Sequence, residues 1–132
     1  MCGICGVIDK NRINPTILLN MAASLKHRGP DSVNIQIVDN VGLGHARLRI
    51  LDLSESANQP MSNEDDSIWL VYNGEYYTFR EYREVLLNKG HKFKSNTDSE
   101  VILHLYEEYG MDFVSCLRGM FAIAILDLRK DK

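Results

Sequence analysis

The order in which strand-like and helix-like segments follow one another most constrains the fold of this chain. Apolar or alternating segments occur in groups, and helical patterns separate the groups instead of following every strand. A parallel sheet needs a crossover after nearly every strand, so this order favours an α+β fold with antiparallel sheets. The 132 residues suffice for one domain.

Two of the predicted strands carry a specific expectation. The strand that ends at Asn73-Gly74 is expected to run into a turn, because this dipeptide favours tight turns. The last strand is continuously apolar and is therefore expected to be central in its sheet. The strands are predicted at 2–9, 33–39, 41–53 (one or two strands), 67–74 and 119–128.

Three helices are predicted from their start and stop signals. Asn14 and Pro15 form an N-cap and a first helical residue. Two capping boxes open the later helices. The boxes are Thr78–Glu81 and Thr97–Glu100, and Gly90 and Gly110 are the expected stops. The expected buried faces are Ile17, Leu18, Met21, Ala22 and Leu25; Phe79, Tyr82, Leu86 and Leu87; and Val101, Ile102, Leu105 and Tyr106.

Charge and hydropathy argue against several classes of function. The net charge of −3 provides no basic surface for nucleic acid. No apolar run reaches 18 residues, so no membrane helix is expected. The start lacks the pattern of a signal peptide, and three cysteines do not make a disulfide framework, so a cytoplasmic location is expected.

Cys2 stands directly behind Met1. Removal of Met1 would leave a thiol beside a free α-amine, whose reference pKa near ~8 allows it to act as a base. Alternatively, Cys2 is a small residue at the start of a strand, or half of a metal or redox pair with Cys5. The four histidines show no H-x-x-x-H spacing and Cys116 stands alone, so no metal site is expected.

Three further positions could support acyl transfer, and each has an ordinary structural alternative. The Asn73 amide and the Gly74 N–H could stabilise an oxyanion, or could form a plain turn. Arg47 could hold a substrate carboxylate, or could lie at a solvated strand edge. Asp98 could bind a substrate ammonium, or could favour its helix N-terminus by charge.

Six stretches in order resemble the glutaminase domain of class II glutamine amidotransferases, and most closely that of the asparagine synthetases. The resemblance extends over essentially all of residues 1–132, and "HRGPD" is its most specific element. The stretches are "MCGICGVID", "HRGPDS", "GHARLRILDLSESANQPM", "YNGEYY", "TDSEVIL" and "LRGMFAIAILD".

The resemblance implies a four-layer αββα sandwich of the N-terminal nucleophile hydrolase type. It further implies that Cys2 attacks the side-chain amide of glutamine and forms a thioester, releasing ammonia for ATP-dependent asparagine synthesis in a full-length enzyme. The implied roles are an oxyanion hole at Asn73 and Gly74, a carboxylate site at Arg47, an amine site at Glu75 and Asp98, and main-chain contacts at Ile50 and Leu51.

The family's glutaminase domain continues beyond the stretches seen here, and a synthetase domain that uses ATP and Mg²⁺ follows it. The chain is therefore expected to be an incomplete glutaminase domain without a cofactor of its own. Exposed sheet edges, pairing with a synthetase domain or a second copy, or a partly disordered pocket are expected. The alternatives are an amidotransferase of this class with another carboxylate acceptor, or an inactive binding or assembly module.

Overall fold

The computed structural model describes residues 1–130 of the chain. These residues form two three-stranded antiparallel sheets and three α-helices, with two short 3₁₀ segments at Glu55–Ala57 and Gly110–Cys116. The strands are β1 (Gly3–Ile8), β2 (Ser32–Val38), β3 (Val41–Arg47), β4 (Met61–Ser62), β5 (Ile68–Tyr76) and β6 (Gly119–Asp127), and the helices are α1 (Pro15–Ser24), α2 (Phe79–Asn88) and α3 (Asp98–Tyr109).

The described elements stack in four layers, as predicted. The first sheet has the order β1-β3-β2 and the second has the order β4-β5-β6. Helix α1 packs on the outer face of the first sheet, and α3, with α2 beside it, packs on the outer face of the second. The two sheets therefore face each other between the helices, which is the αββα sandwich.

Helix α1 lies unusually close to its sheet because β3 carries glycines on that face. Asn14 caps the helix by accepting a 2.9 Å hydrogen bond from the Thr16 N–H, as its sequence predicts. A Cβ at Gly42 would stand 2.7 Å from Leu18 Cδ2, so any larger residue there would displace the buried Leu18 side chain. Leu18 and Ala22 are fully buried, whereas Ile17, predicted on the same face, is exposed.

A small apolar core separates the two sheets. It is centred on Leu43 of the first sheet and on Val71 and Leu126 of the second. A polar contact also crosses this layer, since His45 Nε2 lies 3.2 Å from the carbonyl oxygen of Tyr72. The contact joins β3 to β5 at the end of the sandwich where the candidate site lies.

The largest core fills the space between the second sheet and α2 and α3. Helix α3 is buried along most of its length, and its predicted face is buried as expected. Leu87 of α2 was predicted to be buried but is 49% exposed, because only Leu86 of that pair turns toward the sheet. The buried members are Met61, Ile68, Leu70, Tyr72, Tyr76, Leu86, Val101, Ile102, Leu103, Leu105, Tyr106 and Phe113.

Two strand predictions were wrong. Asn73-Gly74 does not form a turn, because β5 continues to Tyr76 and Gly74 pairs with Phe121 of β6. Strand β6 is not central among the described residues: it pairs with β5 alone and forms an edge, where Met120 is 62% exposed. Over 123–126 its apolar sequence still reflects burial on both faces: Ile123 and Ile125 pack against the core beside α2 and α3, and Ala124 and Leu126 pack against the core between the sheets.

Two local predictions also differ from the structure. Thr78 precedes α2, but its hydroxyl makes no cap hydrogen bond, because its backbone (φ −101°, ψ 20°) is not in the extended conformation of an N-cap. Residues 48–53 form no second strand after β3 but a loop. Within residues 1–130, no helix is long and apolar enough to cross a bilayer.

Candidate active site

A cleft of about 70 Å³ opens where the start of β1, the end of β3, the second half of β5 and the first turn of α3 meet. All eight residues predicted for the site line this one cleft. They are Cys2, Arg47, Ile50, Leu51, Asn73, Gly74, Glu75 and Asp98. The lining also includes residues that the sequence did not single out for this cleft, namely Met1, His45, Leu48, Asp52, Ala57, Gln59, Tyr72, Thr97 and Ser99.

The Cys2 thiol is held by the main chain that follows β3. Leu48 N–H donates to Cys2 Sγ at 3.3 Å, and the thiol lies 3.7 Å from the Leu48 carbonyl oxygen. Arg28 Nε donates a 2.9 Å hydrogen bond to the Cys2 carbonyl oxygen. These contacts fix both the side chain and the backbone of the cysteine at the cleft.

The "HRGPD" loop is the scaffold of this corner. A Cβ at Gly29 would lie 2.2 Å from the Ala46 carbonyl oxygen, so the loop can press against β3 only with glycine there. Asp31 donates its N–H to the Arg47 carbonyl oxygen at 3.0 Å and accepts the Arg49 N–H at 2.7 Å. The sequence marked this loop as a family feature but gave no role to Arg28 or Asp31, because only the fold places them beside β3.

Arg47 is 5% exposed and faces the cleft, so the solvated-edge alternative is wrong. Its Nη1 donates to the Ser54 carbonyl oxygen and to Asn58 Oδ1, each at 2.8 Å, and its Nη2 donates to the Asp52 carbonyl oxygen. Of its five N–H donors, the one on Nε and one on Nη2 have no partner among the described residues. These two nitrogens can hold a carboxylate through parallel hydrogen bonds.

Asp98 is a buried carboxylate at the start of α3. Its Oδ2 accepts from the Tyr72 hydroxyl at 2.9 Å and from Tyr76 N–H at 3.2 Å, and its Oδ1 accepts from Ser99 N–H at 3.0 Å. Burial raises the pKa of Asp98, and the three hydrogen bonds oppose that shift. Oδ1 keeps one free lone pair for a further donor, such as an ammonium group.

The N–H of Gly74 is directed away from β6 and toward the cleft. In an antiparallel ladder, alternate residues of one strand direct their N–H groups to the same edge. Tyr72 N–H is bonded to Gln59 Oε1 at 2.5 Å and Tyr76 N–H to Asp98, so both point away from β6. Gly74 lies between them, and its N–H therefore points the same way. It is a suitable donor for a developing oxyanion.

Gly74 is also constrained by packing. A Cβ at this position would lie 2.2 Å from the Met120 carbonyl oxygen of β6. Glycine is therefore required for β5 and β6 to pair, whatever its part in catalysis. The strand pairing in turn fixes the neighbouring Asn73 at the cleft.

His45 lies fully buried in the wall of the cleft. Burial, and secondarily the positive charge of Arg47, lower its pKa to about 4, so the ring is neutral at physiological pH. Its Nε2 faces the Tyr72 carbonyl oxygen and must therefore carry the ring proton. Nδ1 is then an acceptor, and it has no hydrogen-bond partner among the described residues.

Asp52 joins the loop after β3 to the loop before α3. Its Oδ1 accepts the Ser54 N–H at 2.8 Å and its Oδ2 accepts the Asn96 N–H at 2.9 Å. Hydrogen bonds from Ser54 and Asn96 lower the pKa of Asp52 to about 2. This ionised carboxylate therefore connects two loops. One contains the hydrogen-bond partners of Arg47, and the other leads into α3, which begins at Asp98.

The two cysteines of the C-x-x-C pattern point to different surroundings. Cys5 lies against α1, where a Cβ on Gly44 would stand 2.6 Å from Cys5 Sγ and 3.1 Å from Ala22 Cβ. Burial raises the pKa of the Cys5 thiol, whereas Cys2 lines the cleft. Both thiols are free, and the structure gives them no shared metal or redox site.

Comparison with known proteins agrees with this fold. The sequence profile of the glutamine amidotransferase domain family matches residues 1–132. Among solved structures, glutamine phosphoribosylpyrophosphate amidotransferase from Bacillus subtilis, complexed with ADP and GMP, superposes with a TM-score of 0.74 at 21% identity, covering 94% of this chain and 35% of that one. The chain thus shares the fold of this part of a glutamine amidotransferase.

The chain belongs to the glutamine amidotransferase domain family. It is 42% identical over 132 residues to glutamine-hydrolyzing asparagine synthetase 3 of Arabidopsis thaliana, covering 98% of this chain and 22% of the relative. It is 44% identical over 137 residues to glutamine-hydrolyzing asparagine synthetase 2 of Bacillus subtilis (strain 168), covering 100% of this chain and 18% of the relative. The chain thus spans about a fifth of the length of these relatives.

Proposed function

We propose that this chain hydrolyses glutamine to glutamate and ammonia, with Cys2 as the nucleophile. The observation that carries the proposal is the convergence, on one cleft, of a thiol, an uncharged oxyanion site, a cation and a buried carboxylate from four separate parts of the chain. Family membership supports it, because an amidotransferase must first release ammonia from glutamine.

The reaction requires removal of Met1, which lines the cleft and holds the nitrogen of Cys2 in a peptide bond. Once free, the Cys2 α-amine accepts the thiol proton while Sγ bonds to the amide carbon of glutamine. Asn73 and Gly74 N–H stabilise the resulting oxyanion. The C–N bond then breaks, the protonated amine gives its proton to the leaving nitrogen, and ammonia departs. Water hydrolyses the thioester and restores the thiol.

The two ends of the cleft suit the two charges of an α-amino acid. The free donors of Arg47 would bind the α-carboxylate, and Asp98 would bind the α-ammonium together with Glu75. Ile50 and Leu51 belong to the loop that Arg47 holds in place through the Ser54 and Asp52 carbonyl oxygens, so their main chain would close the same end. Asn73 and Gly74 would then face the side-chain amide.

The test is an intact mass of the purified protein, followed by a glutamine hydrolysis assay. We expect loss of Met1, a single adduct on Cys2 with an electrophilic glutamine analogue, and no hydrolysis by Cys2→Ala. Cys5→Ala is the matched control and keeps activity, because Cys5 faces α1. Full activity of Cys2→Ala would overturn the mechanism. Retained Met1 with no labelling and no hydrolysis would support the alternative of an inactive binding or assembly module.

For the whole protein, we propose that the ammonia serves ATP-dependent asparagine synthesis. The relatives that match most of this chain are named as glutamine-hydrolyzing asparagine synthetases. Residues 1–132 would form the glutaminase domain, in whole or in part, and ATP and Mg²⁺ would belong to a synthetase domain rather than to the cleft. Asparagine formation from aspartate, ATP and glutamine by the full-length protein tests this; transfer to a different carboxylate would support another acceptor.

We further propose a synthetase domain or a second copy as the partner of the exposed edge of β6. Met120 and Phe121 leave that edge apolar and uncovered in the described chain. Size-exclusion chromatography of Phe121→Lys against wild type tests whether this edge mediates association.

No role with nucleic acid or membrane is proposed. A cytoplasmic location suits the free thiols, which a reducing compartment would preserve.

A further inference from the structure

A cluster of two imidazoles and one carboxylate lies outside the cleft, between the segment after α2 and the C-terminal half of α3. We call it the histidine cluster; its members are His91, His104 and Glu107. His104 and Glu107 are three residues apart on α3 and so share a face of the helix. His91 joins them because the chain folds back after α2. The sequence predicted no metal site, since no short spacing links the two histidines.

Three ligand atoms of the cluster form a nearly equilateral triangle. His91 Nδ1 lies 3.2 Å from His104 Nδ1, His104 Nδ1 lies 3.1 Å from Glu107 Oε2, and His91 Nδ1 lies 3.5 Å from Glu107 Oε2. In a tetrahedral zinc site with bonds of about 2.0–2.1 Å, neighbouring ligand atoms stand roughly 3.3–3.4 Å apart. The triangle therefore has the size of one face of such a tetrahedron.

Hydrogen bonds alone do not satisfy the three ligand atoms, because there are more acceptors than donors among them. His91 Nε2 faces Glu108 Oε2 at 3.1 Å, so it carries the proton and His91 Nδ1 presents a lone pair. Glu107 Oε2 is an acceptor as well. When both imidazoles are neutral, the one proton on His104 Nδ1 must then serve both His91 Nδ1 and Glu107 Oε2, which lie 3.5 Å apart. A cation at the centre would satisfy all three atoms at once.

One of the two histidines has the outer partner of a metal-bound histidine, and the other has a carboxylate nearby but beyond hydrogen-bond distance. A ligating histidine commonly donates its other ring N–H to a carboxylate. Glu108 already holds His91 Nε2, and Glu100 Oε1 stands 3.9 Å from His104 Nε2. Lys89 pairs with Glu108, and the positive charge of Arg129 also acts on Glu107, so three carboxylates face two cations and one negative charge remains to favour a metal ion.

The burial of the cluster allows an ion to enter and to be held. The His104 side chain is 2% exposed and is packed against the ring of Phe93, with centroids 4.7 Å apart. The side chains of His91 and Glu107 are 12% and 23% exposed, so one side of the triangle opens to solvent. A fourth ligand could come from water on that side.

We propose that His91 Nδ1, His104 Nδ1 and Glu107 Oε2 bind one Zn²⁺ ion, with water as the fourth ligand. Two imidazole nitrogens and one carboxylate oxygen are a borderline donor set that suits zinc better than calcium or magnesium. The ion links the segment after α2 to α3 and so stabilises the fold around the second sheet. This site is independent of the proposed glutamine hydrolysis.

The experiment measures zinc binding to chelator-treated protein by competition with a chromogenic zinc indicator. We expect one Zn²⁺ per chain, at least a tenfold loss of affinity in His91→Gln and in Glu107→Gln, and a smaller loss in Glu108→Gln, which removes only an outer partner. Zinc should also raise the Tm of the wild type but not of His91→Gln. Co²⁺ in the same site should give the visible absorption of a tetrahedral complex.

The matched controls are His27→Gln and Glu84→Gln, which change exposed residues elsewhere and should keep wild-type affinity. Cys2→Ser separates zinc in the cluster from zinc on the cleft thiol. Because Glu107 is partly exposed and its replacement has the same shape, Glu107→Gln tests the site even if His91→Gln unfolds. Absence of zinc binding in the wild type, or equal affinity in the wild type and Glu107→Gln, would overturn the proposal.

Discussion

At the scale of single residues, the cleft is built from charged groups whose burial costs free energy unless they have hydrogen-bond or charge partners. Arg47 retains two unpartnered donors and Asp98 retains one lone pair, although both side chains are buried. The sequence nominated Arg47 for a substrate carboxylate and Asp98 for a substrate ammonium, with a solvated strand edge and a helix-dipole charge as the alternatives. It could not nominate Arg28, which is exposed and acts only through one hydrogen bond to the Cys2 carbonyl oxygen.

Arg28 is expected to be a positioning residue for the nucleophile. Arg28→Lys loses the fixed Nε donor, which should lower kcat for glutamine hydrolysis roughly three- to tenfold and leave KM nearly unchanged. Steady-state kinetics measure both. Arg12→Lys, which changes another exposed arginine, should behave as wild type. A change in KM alone would place Arg28 in substrate binding instead.

Asp98 should make glutamine binding depend on pH. The proposed ammonium site needs the ionised carboxylate, and burial raises the pKa of Asp98. The KM of the wild type should therefore rise as pH falls toward that raised pKa. In Asp98→Asn, KM at neutral pH should be roughly 10–100-fold higher than in the wild type, because a charge-assisted hydrogen bond is lost. The KM of this variant should not change with pH over the acidic range. An unaltered KM would remove Asp98 from the site.

The same carboxylate should affect stability in the opposite direction. A raised pKa means that folded Asp98 holds its proton more tightly than the unfolded chain does. Its contribution to stability is thus complete below the unfolded pKa and is lost as pH rises through the folded pKa. The Tm of Asp98→Asn minus that of wild type should therefore increase as pH rises from 4 to 7, as thermal denaturation at several pH values can measure.

At the scale of elements, similar sequence signals had different outcomes. Both Thr78 and Thr97 opened a predicted capping box. Only Thr97 has extended backbone angles (φ −89°, ψ 154°), and its hydroxyl accepts from the Glu100 N–H. The Glu100 carboxylate does not close the box: it accepts from the N–H groups of Lys94 and Ser95 instead. The sequence supplies the polar side chain, but the path of the incoming chain decides whether it can cap.

The two threonines form a matched pair for a stability measurement. Thr97→Ala should lower the free energy of unfolding by about 1–2 kcal/mol, because it removes an N-cap at the helix that carries Asp98. Thr78→Ala should change it by no more than about 0.5 kcal/mol, because no cap hydrogen bond is lost. Urea denaturation of both variants measures the difference. Equal losses would mean that the cap bond contributes nothing.

At the scale of the whole molecule, the cleft exists because two sheets meet at one end. Arg47 comes from the first sheet and Asn73 and Gly74 from the second, while His45 joins the sheets through the Tyr72 carbonyl oxygen. The neutral ring of His45 is a condition for this packing. Protonation would place a charge beside Arg47 in the buried layer.

His45 should make the sandwich less stable in acid. Its pKa is lowered to about 4 in the folded chain, so the unfolded chain binds the proton first as pH falls below about 6.5. As pH falls from about 6.5 to about 4, proton binding to His45 in the unfolded chain should lower the free energy of unfolding by about 3 kcal/mol. His45→Gln, which can still donate to Tyr72, should lack this part of the pH slope in urea denaturation, whereas exposed His27→Gln should keep it.

The sequence by itself determined the α+β class and most of the strands and helices, and it nominated Cys2, Arg47, Asn73, Gly74 and Asp98 for the site. It could do so because apolar periodicity, caps and unusual polar residues are local properties of the chain. Ile50, Leu51 and Glu75 came only from the family resemblance. Tertiary structure alone decided that β5 continues through Asn73-Gly74, that β6 forms an edge, and that Arg28 reaches Cys2. It also brought His91 to His104. These outcomes depend on which distant segments pack together, and no local pattern records that choice.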